Sequence, residues 1–184
     1  MARLSSFTMV SLDGCYADAG GDMSFAHATD PETKAFTAEN AQGGGMLLFG
    51  RVTYQMMASY WPTPFAAQND PLVAAGMNRM PKLVFSRTLE QAAWSGTTLV
   101  QGDPAREVQK LKQGSLDMAI LGSGSIVAAL AEADLIDEYQ LLVLPVILGD
   151  GKRLFAGVTR RPRLRLESTR RFENGNVFLR YRPG

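Results

Sequence analysis

The 184-residue chain has one cysteine, Cys15, and one histidine, His27. A single thiol excludes an intrachain disulfide, and such sparse use fits a reducing cytoplasm. One Cys and one His cannot build a familiar zinc site, and no His, Cys, Asp or Glu group has metal-ligand spacing, so no metal is expected. No apolar run approaches the ~20 residues of a membrane span. The first residues lack the basic-then-apolar pattern of an export signal. A strong charge of one sign is also missing, since the net charge is +1. Bulk electrostatics therefore points to no nucleic-acid partner and no membrane partner. The basic residues that do cluster, Arg160, Arg161, Arg163, Arg165, Arg170 and Arg171, read as the solvated face of a late strand in preference to a nucleic-acid patch. Repeats, low-complexity segments and interdomain linkers are absent. With 46% hydrophobic and 20% charged residues, the chain reads as one domain over 1–184, long enough to bury roughly 70% of its unfolded surface.

What is present is a run of strand-to-helix junctions. Met118-Ala119-Ile120-Leu121 ends at Gly122-Ser123-Gly124-Ser125, after which Ile126, Val127, Leu130 and Ala131 fall at helical spacing. Such a small-residue turn points backbone N–H groups, and the positive end of the helix dipole, at a phosphate-sized space. A second junction, Met46-Leu47-Leu48-Phe49-Gly50-Arg51-Val52-Thr53-Tyr54, adds an arginine and a hydroxyl. Neither has the spacing of the dinucleotide fingerprint or a P-loop lysine. Each alone is also compatible with an ordinary tight connection. Two on one small domain suggest a nucleotide cofactor.

The remaining pattern predicts a strand over Arg3–Leu12, a loop over 17–30, and a helix from Pro31 to Gln42 with Asp30 as N-cap. Arg51–Ser59 reads as a helix, Trp61-Pro62-Thr63-Pro64 as a rigid loop, and Pro71–Met80 as a helix. Strands follow at Lys82–Phe85 and Thr97–Val100, then a helix at Pro104–Gln113. Ile136–Leu148 is a long apolar strand broken at Pro145, which suggests an edge or a bulge. Gly149-Asp150-Gly151 is a turn. Strands near 163–172 and 176–182 flank Asn174-Gly175, a type I′ hairpin signal. The fold class is therefore α/β, a mostly parallel central sheet with flanking helices and a C-terminal antiparallel hairpin.

Five segments, in order, carry a family likeness: Ser11-Leu12-Asp13-Gly14; Leu48-Phe49-Gly50-Arg51-Val52-Thr53-Tyr54; Lys82-Leu83-Val84-Phe85-Ser86-Arg87; Gly122-Ser123-Gly124-Ser125; and Leu135-Ile136-Asp137-Glu138-Tyr139 running into Pro145-Val146-Ile147-Leu148-Gly149. On these the chain resembles the dihydrofolate reductase-like superfamily, and in particular the reductase domain of bifunctional riboflavin-biosynthesis proteins and its stand-alone bacterial relatives. The resemblance implies the three-layer dihydrofolate reductase-like fold, NADPH as cofactor, and hydride transfer to a small heterocyclic substrate of the pteridine or pyrimidine kind. It would place Gly50, Arg51 and Thr53 on the cofactor phosphates, and Ser86 and Arg87 on the adenosine 2′-phosphate. Gly122, Ser123, Gly124 and Ser125 would hold the pyrophosphate and border the nicotinamide. A 2′-phosphate favours hydroxyl donors and a permanently charged guanidinium, which agrees. A homodimer is expected on the same ground, and because uncovered strand edges need a partner.

Candidate acids are few. Asp13 follows the first strand and is either part of the chemistry or a turn aspartate before Gly14. Glu32 sits in the first turn of the Pro31 helix, where dihydrofolate reductases carry a substrate-binding acid, or it simply serves the helix dipole. His27 is either a proton donor or a solvent-exposed loop residue, and Cys15 either faces the site or is a buried, inert thiol. Tyr60, Trp61, Phe65, Met56 and Met57 wall a substrate pocket or pack the core. Residues 14–30 lack the Pro-Trp pair of true dihydrofolate reductases, which points away from folate. The competing reading is a nucleotide-binding module without turnover.

Overall fold

The computed structural model describes residues 1–27, 30–41 and 43–184. Its core is an eight-stranded sheet built from β1 (Leu4–Ser11), β3 (Met46–Gly50), β4 (Lys82–Phe85), β5 (Thr97–Val100), β6 (Met118–Ile120), β7 (Glu138–Leu144), β9 (Leu164–Arg171) and β10 (Val177–Pro183). The order is β5-β4-β3-β6-β1-β7-β10-β9. The first six strands of that order run parallel, and β10 runs antiparallel to both β7 and β9. The parallel part ends together on one edge, with Gly50 beside Phe85, Phe85 beside Val100, and Ser11 beside Leu144. This edge is where ligands of open α/β sheets bind.

Both faces of the parallel strands are covered, so these strands read as unbroken apolar runs. On one face Leu48, Leu83, Phe85, Met118 and Ile120 pack with Val127 and Leu130 of α6 (Gly124–Glu132) and Val108 of α5 (Pro104–Leu111). On the other, Leu47, Phe49 and Val84 pack with Tyr54 of α2 (Arg51–Tyr60), Met77 of α4 (Pro71–Arg79) and Trp94. Further along that face Phe36 of α1 (Pro31–Ala41) packs on Leu142, Leu144, Phe172 and Phe178. One buried side chain breaks the apolar pattern. The Lys82 ammonium donates to the carbonyls of Asn78, Met80 and Ser95 at 3.2, 2.7 and 3.1 Å and lies 4.5 Å from the Trp94 ring centroid. Burial holds its pKa below the ordinary lysine value.

Several sequence expectations are corrected. The segment after Asp13-Gly14 is not all loop: β2 (Cys15–Asp18) pairs antiparallel with β8 (Gly151–Arg153), a strand that starts at the last residue of the expected 149–151 turn, where the Asp150 N–H donates to the Leu148 carbonyl. These ribbons, of 4 and 3 residues, are too short to show a period. Thr63-Pro64 is not loop alone but the cap and first residue of α3 (Pro64–Asn69), with Thr63 Oγ1 accepting the Ala66 N–H. β7 stops at Leu144, just before Pro145, and lies inside the sheet instead of at its edge. The hairpin turn is not type I′. The Gly175 N–H donates to the Phe172 carbonyl and the Phe172 N–H to the Asn176 carbonyl, with Gly175 at φ 90°. Among the described residues the one non-glycine at positive φ is Asp134, so Asn174 does not take the I′ conformation. A three-residue loop with a left-handed glycine gives the same reversal. The Asp30 cap is as read: its Oδ1 accepts the Thr33 N–H at 2.8 Å. Gln42 and the loop positions Ala28 and Thr29 lie outside the described residues.

Candidate functional site

β3 and β6 both end at small residues and both feed helices. Gly50 is the N-cap of α2 and Ser123 the N-cap of α6, each in extended backbone and each without a side-chain cap. An uncapped N-terminus leaves several N–H groups without intrahelical partners. Neither first turn carries an acid, so both helix ends are positive and open to an anion.

These two ends converge. The Gly50 N–H donates to the Gly122 carbonyl at 3.2 Å. A side chain at Gly50 would collide with Ser123 Oγ. Gly122 stands at φ 120°, and a Cβ there would lie 3.1 Å from Thr53 Oγ1. The Gly122–Ser123 peptide is cis, and Ser123 Oγ and Ser125 Oγ share a hydrogen bond of 2.8 Å. Gly50, Thr53, Gly122, Ser123, Gly124 and Ser125 thus form one cradle. Tyr16 of β2 lays its ring on Gly124, closely enough that only glycine fits; nothing in the sequence pattern pointed to this tyrosine. Arg51 opens α2 with an exposed side chain bonded to Gln55 at 2.9 Å. One strand further along the edge, Ser86 Oγ accepts the N–H groups of Thr88 and Leu89, and Arg87 is exposed.

Asp13 lies on the other side of the cradle, after β1. Its carboxylate accepts the Ser11 hydroxyl at 2.6 Å and the Leu148 and Gly149 N–H groups at 3.2 and 2.8 Å. The Ser11 bond first, then that of Leu148, lower its pKa from 3.8 to about 2. Asp13 is therefore an anion that ties the end of β1 to the segment after β7. As it stands it has no proton to give at neutral pH.

A cavity of about 320 Å³ opens beyond β1, between the N-terminus of α1 and the hairpin turn. Leu142, Leu144, Pro145, Val146 and Phe25 form its apolar wall, and His27, Asp30, Thr33, Asn174 and Asn176 its polar one. The polar groups are connected. Asn174 Nδ2 donates to Asp30 Oδ2 at 2.7 Å and to Thr33 Oγ1 at 3.2 Å, and Asn176 Nδ2 donates to Thr33 Oγ1 at 3.4 Å. The Thr33 N–H bond, foremost, holds the Asp30 pKa below the ordinary carboxylate value.

Glu32 does not face this cavity. It accepts Arg170 at 3.1 Å and the Glu173 N–H at 3.1 Å, and so joins α1 to the hairpin. In the sequence Asp30 is marked only as a cap and Asn174 only as a turn residue, and nothing marks Thr33 or Asn176. Those partners lie more than 140 residues away in sequence, so no local pattern marks them. Tyr60, Trp61, Phe65, Met56 and Met57 do not line the cavity. Met57 and Trp61 instead pack against the Tyr54–Met77 core cluster, and Met56 and Phe65 are exposed. His27 is exposed and Cys15 buried. No group of described residues has the makings of a metal site.

The family described as the RibD C-terminal domain matches residues 3–178. The chain belongs to that family. Its likeness to the Bacillus subtilis protein YyaP, itself uncharacterized, is 29% identity over 136 residues, covering 73% of this chain and 72% of YyaP. Among solved structures it is similar to a putative riboflavin biosynthesis protein from Shewanella sp. PV-4. The TM-score there is 0.77 at 22% identity, over 100% of this chain and 99% of the other. It is also similar to Enterococcus faecalis dihydrofolate reductase, solved with NADP(H), with a TM-score of 0.65 at 14% identity over 99% and 96%. As a RibD C-terminal domain with the dihydrofolate reductase-like fold, the chain is of the oxidoreductase class, and both the family and the fold agree with the resemblance read from the five sequence segments.

Proposed function

We propose that this chain is an NADPH-dependent reductase that transfers a hydride to a small heterocyclic substrate, with 1–184 acting as one domain. The observation that carries the reading is the convergence of two uncapped, acid-free helix N-termini at Gly50 and Ser123. A Cβ at either Gly50 or Gly122 would crowd this cradle, which suits a backbone that must approach a pyrophosphate closely. Arg51, Ser86 and Arg87 supply a cationic, hydroxyl-bearing flank for a 2′-phosphate on the same edge.

When bound, the nicotinamide supplies the hydride. The chain's own groups position and exclude. The α2 and α6 N-termini hold the phosphates. The Asp13 latch fixes the end of β1 against the Leu148-Gly149 segment. The cavity over Leu142 and Leu144 receives the flat ring. It lies two strands beyond β6, roughly 10 Å away at ordinary strand spacing, on the far side of β1 from the cradle. His27 stands on the same cavity wall.

A second reading, a nucleotide-binding module without turnover, draws on one observation. Asp13 at the end of β1 and Asp30 on the cavity wall are both held ionised, which leaves neither as an acid. Titration of the protein with NADPH and NADH, followed by NADPH oxidation with candidate heterocycles, separates the readings. NADPH is expected to bind more tightly than NADH. Arg87→Ala is expected to weaken NADPH about tenfold, the loss of one charge-assisted bond, and to leave NADH nearly unchanged. Equal affinity for the two cofactors in the wild-type chain would overturn the assignment. Binding with no oxidation of any candidate would favour the second reading.

A further inference from the structure

The cradle has a neighbour that neither of its two junctions supplies. Tyr16 belongs to β2, outside the eight-stranded sheet, yet its ring rests on Gly124, the first residue of α6. A Cβ on Gly124 would collide with the Cε1, Cδ1 and Cζ atoms of that ring. The β2–β8 ribbon aims it there. Cys15 pairs with Arg153 and Ala17 with Lys152, so Tyr16 is the extra residue of a bulge. Bulges re-aim a side chain out of the alternating pattern. The flanking Cys15 and Ala17 are both buried. Ser11 Oγ accepts the Cys15 N–H at 3.0 Å and donates to Asp13 at 2.6 Å, so the Asp13 latch also fixes the start of the ribbon.

Packing accounts for the ring and not for the hydroxyl. The ring is half-buried against the α6-side core, a space that phenylalanine would fill equally well. The hydroxyl bonds to none of the described residues. It is not sealed in either: the buried side-chain polar atoms without a partner are Ser6 Oγ, Thr8 Oγ1, Thr97 Oγ1 and Arg180 Nε. Burial of the ring raises its pKa, so the group stays a neutral O–H donor at neutral pH. It stands one bond beyond Cζ, beside a helix start whose own first N–H groups are uncapped and free of any acid. Donors gathered in this way share one kind of partner, an anion.

We propose that Tyr16 is a cofactor-binding residue: its hydroxyl donates to a phosphate oxygen held at the α6 N-terminus, and its ring walls that side of the cradle. This deepens the reductase reading and rests on it. The sheet order β4-β3-β6 sets the α6 N-terminus two strands from Ser86 and Arg87. The phosphate that Tyr16 meets is therefore the one on the nicotinamide side of the pyrophosphate. The glycines of the cradle then differ in purpose. Gly50 and Gly122 let the two turns meet, whereas Gly124 makes room for the tyrosine.

The test is Tyr16→Phe in the full chain, which keeps the ring and removes only the hydroxyl. Its Tm is expected within about 2 °C of the wild type, because the hydroxyl has no protein partner to lose. Affinities for NADPH and NADH are expected to fall alike, about five- to tenfold, the loss of one hydrogen bond to an anion. Adenosine 2′,5′-bisphosphate, which lacks the nicotinamide half, is expected to bind the variant as well as the wild type. In a chain carrying ¹³C-labelled tyrosine, the ring signals missing from the variant belong to Tyr16, and NADPH is expected to shift them in the wild type. Unchanged affinity for NADPH and NADH in the variant would overturn the proposal and leave the ring as packing alone. An equal loss for all three probes, the mark of a disturbed fold, would overturn it too, as would Tyr16 signals that NADPH leaves in place. The wild-type titration, read first, separates the two failures. Wild-type binding of NADPH that ignores Tyr16 sinks this inference and leaves the cofactor reading standing. No wild-type binding of either dinucleotide sinks the cofactor reading itself.

Discussion

Single side chains here do work that their residue type alone does not announce. Asp13 is a surface carboxylate, yet three donors hold its pKa near 2, against an ordinary 3.8. A folded-state pKa below the unfolded one means that the unfolded chain binds more protons between the two values. The stabilisation from Asp13 is therefore complete above about pH 4 and is lost as pH falls toward about 2. Asp13→Asn is expected to flatten the acid limb of a Tm-against-pH curve between those values. Asp22, Asp30, Glu132 and Glu138, also lowered, keep the remainder of the slope. An unchanged limb in the variant would show that the latch is not formed in solution. Lys82 is the opposite case, a cation inside the sheet that satisfies three carbonyls. Lys82→Met fills similar space but removes every donor. One to two newly unpaired acceptors cost about 3 kcal/mol, so calorimetry is expected to show a Tm lower by roughly 6–12 °C in a domain of this size. A variant as stable as the wild type would mean that Met repacks against Trp94 well enough to offset the lost bonds.

Between elements, the decisive contact is turn against turn. Gly50 has φ −82°, which any residue adopts, so a side chain there is excluded by Ser123 Oγ first, with Ile126 Cγ1 next at 3.3 Å, and not by backbone strain. Gly50→Ala is expected to push the α2 and α6 N-termini apart, lowering Tm and weakening NADPH about tenfold or more. Adding Ser123→Ala removes the colliding hydroxyl and is expected to restore most of the Tm, a coupling that independent sites would not show. A Gly50→Ala chain with wild-type Tm and NADPH affinity would mean that the two turns do not meet. Gly122→Val is a less informative variant, because φ 120° and Thr53 penalise it whatever binds there.

This contrast also explains what the sequence could reveal. The two junctions were legible because an apolar run followed by Gly-Arg or Gly-Ser-Gly-Ser is local information. So was the Asp30 cap, and so was the succession of strands and helices along the chain. The cavity was not legible. Asp30, Thr33 and Asn174 meet across 141 to 144 residues, through a hairpin whose Asn-Gly pair announces only a reversal. Glu32 illustrates the same limit: its position at a helix start is visible, but its commitment to Arg170 and Glu173 is not. Thr63-Pro64 was a missed signal of another kind, since a hydroxyl before proline is the ordinary start of a helix.

Over the whole molecule, one strand is left uncovered. All eight residues of β9 are exposed, although α1 reaches its far end through the contacts of Arg170 with Glu32 and Phe36, and as the last strand of the sheet it has an unpaired outer edge. β7 is not an edge, since it lies between β1 and β10; of the two edge strands, β5 and β9, it is β9 that is exposed along its whole length. We propose that two copies associate through this strand. Leu164 and Leu166 are 39% and 47% exposed, an apolar pair that a two-fold partner would bury. The arginines around them need not prevent it. Arg165 pairs with Glu167 at 2.7 Å and Arg170 with Glu32 at 3.1 Å, so part of the positive charge is neutralised within the chain. Light scattering is expected to report about 40 kDa, twice the chain mass of 20.0 kDa, at micromolar concentration. Leu164→Arg with Leu166→Arg is expected to halve that mass while leaving Tm within a few degrees, because neither side chain is in a core cluster. A wild-type monomer at tens of micromolar would give β9 another meaning. Its arginines would then be the device that keeps an exposed edge from pairing at all, and the double variant would change nothing.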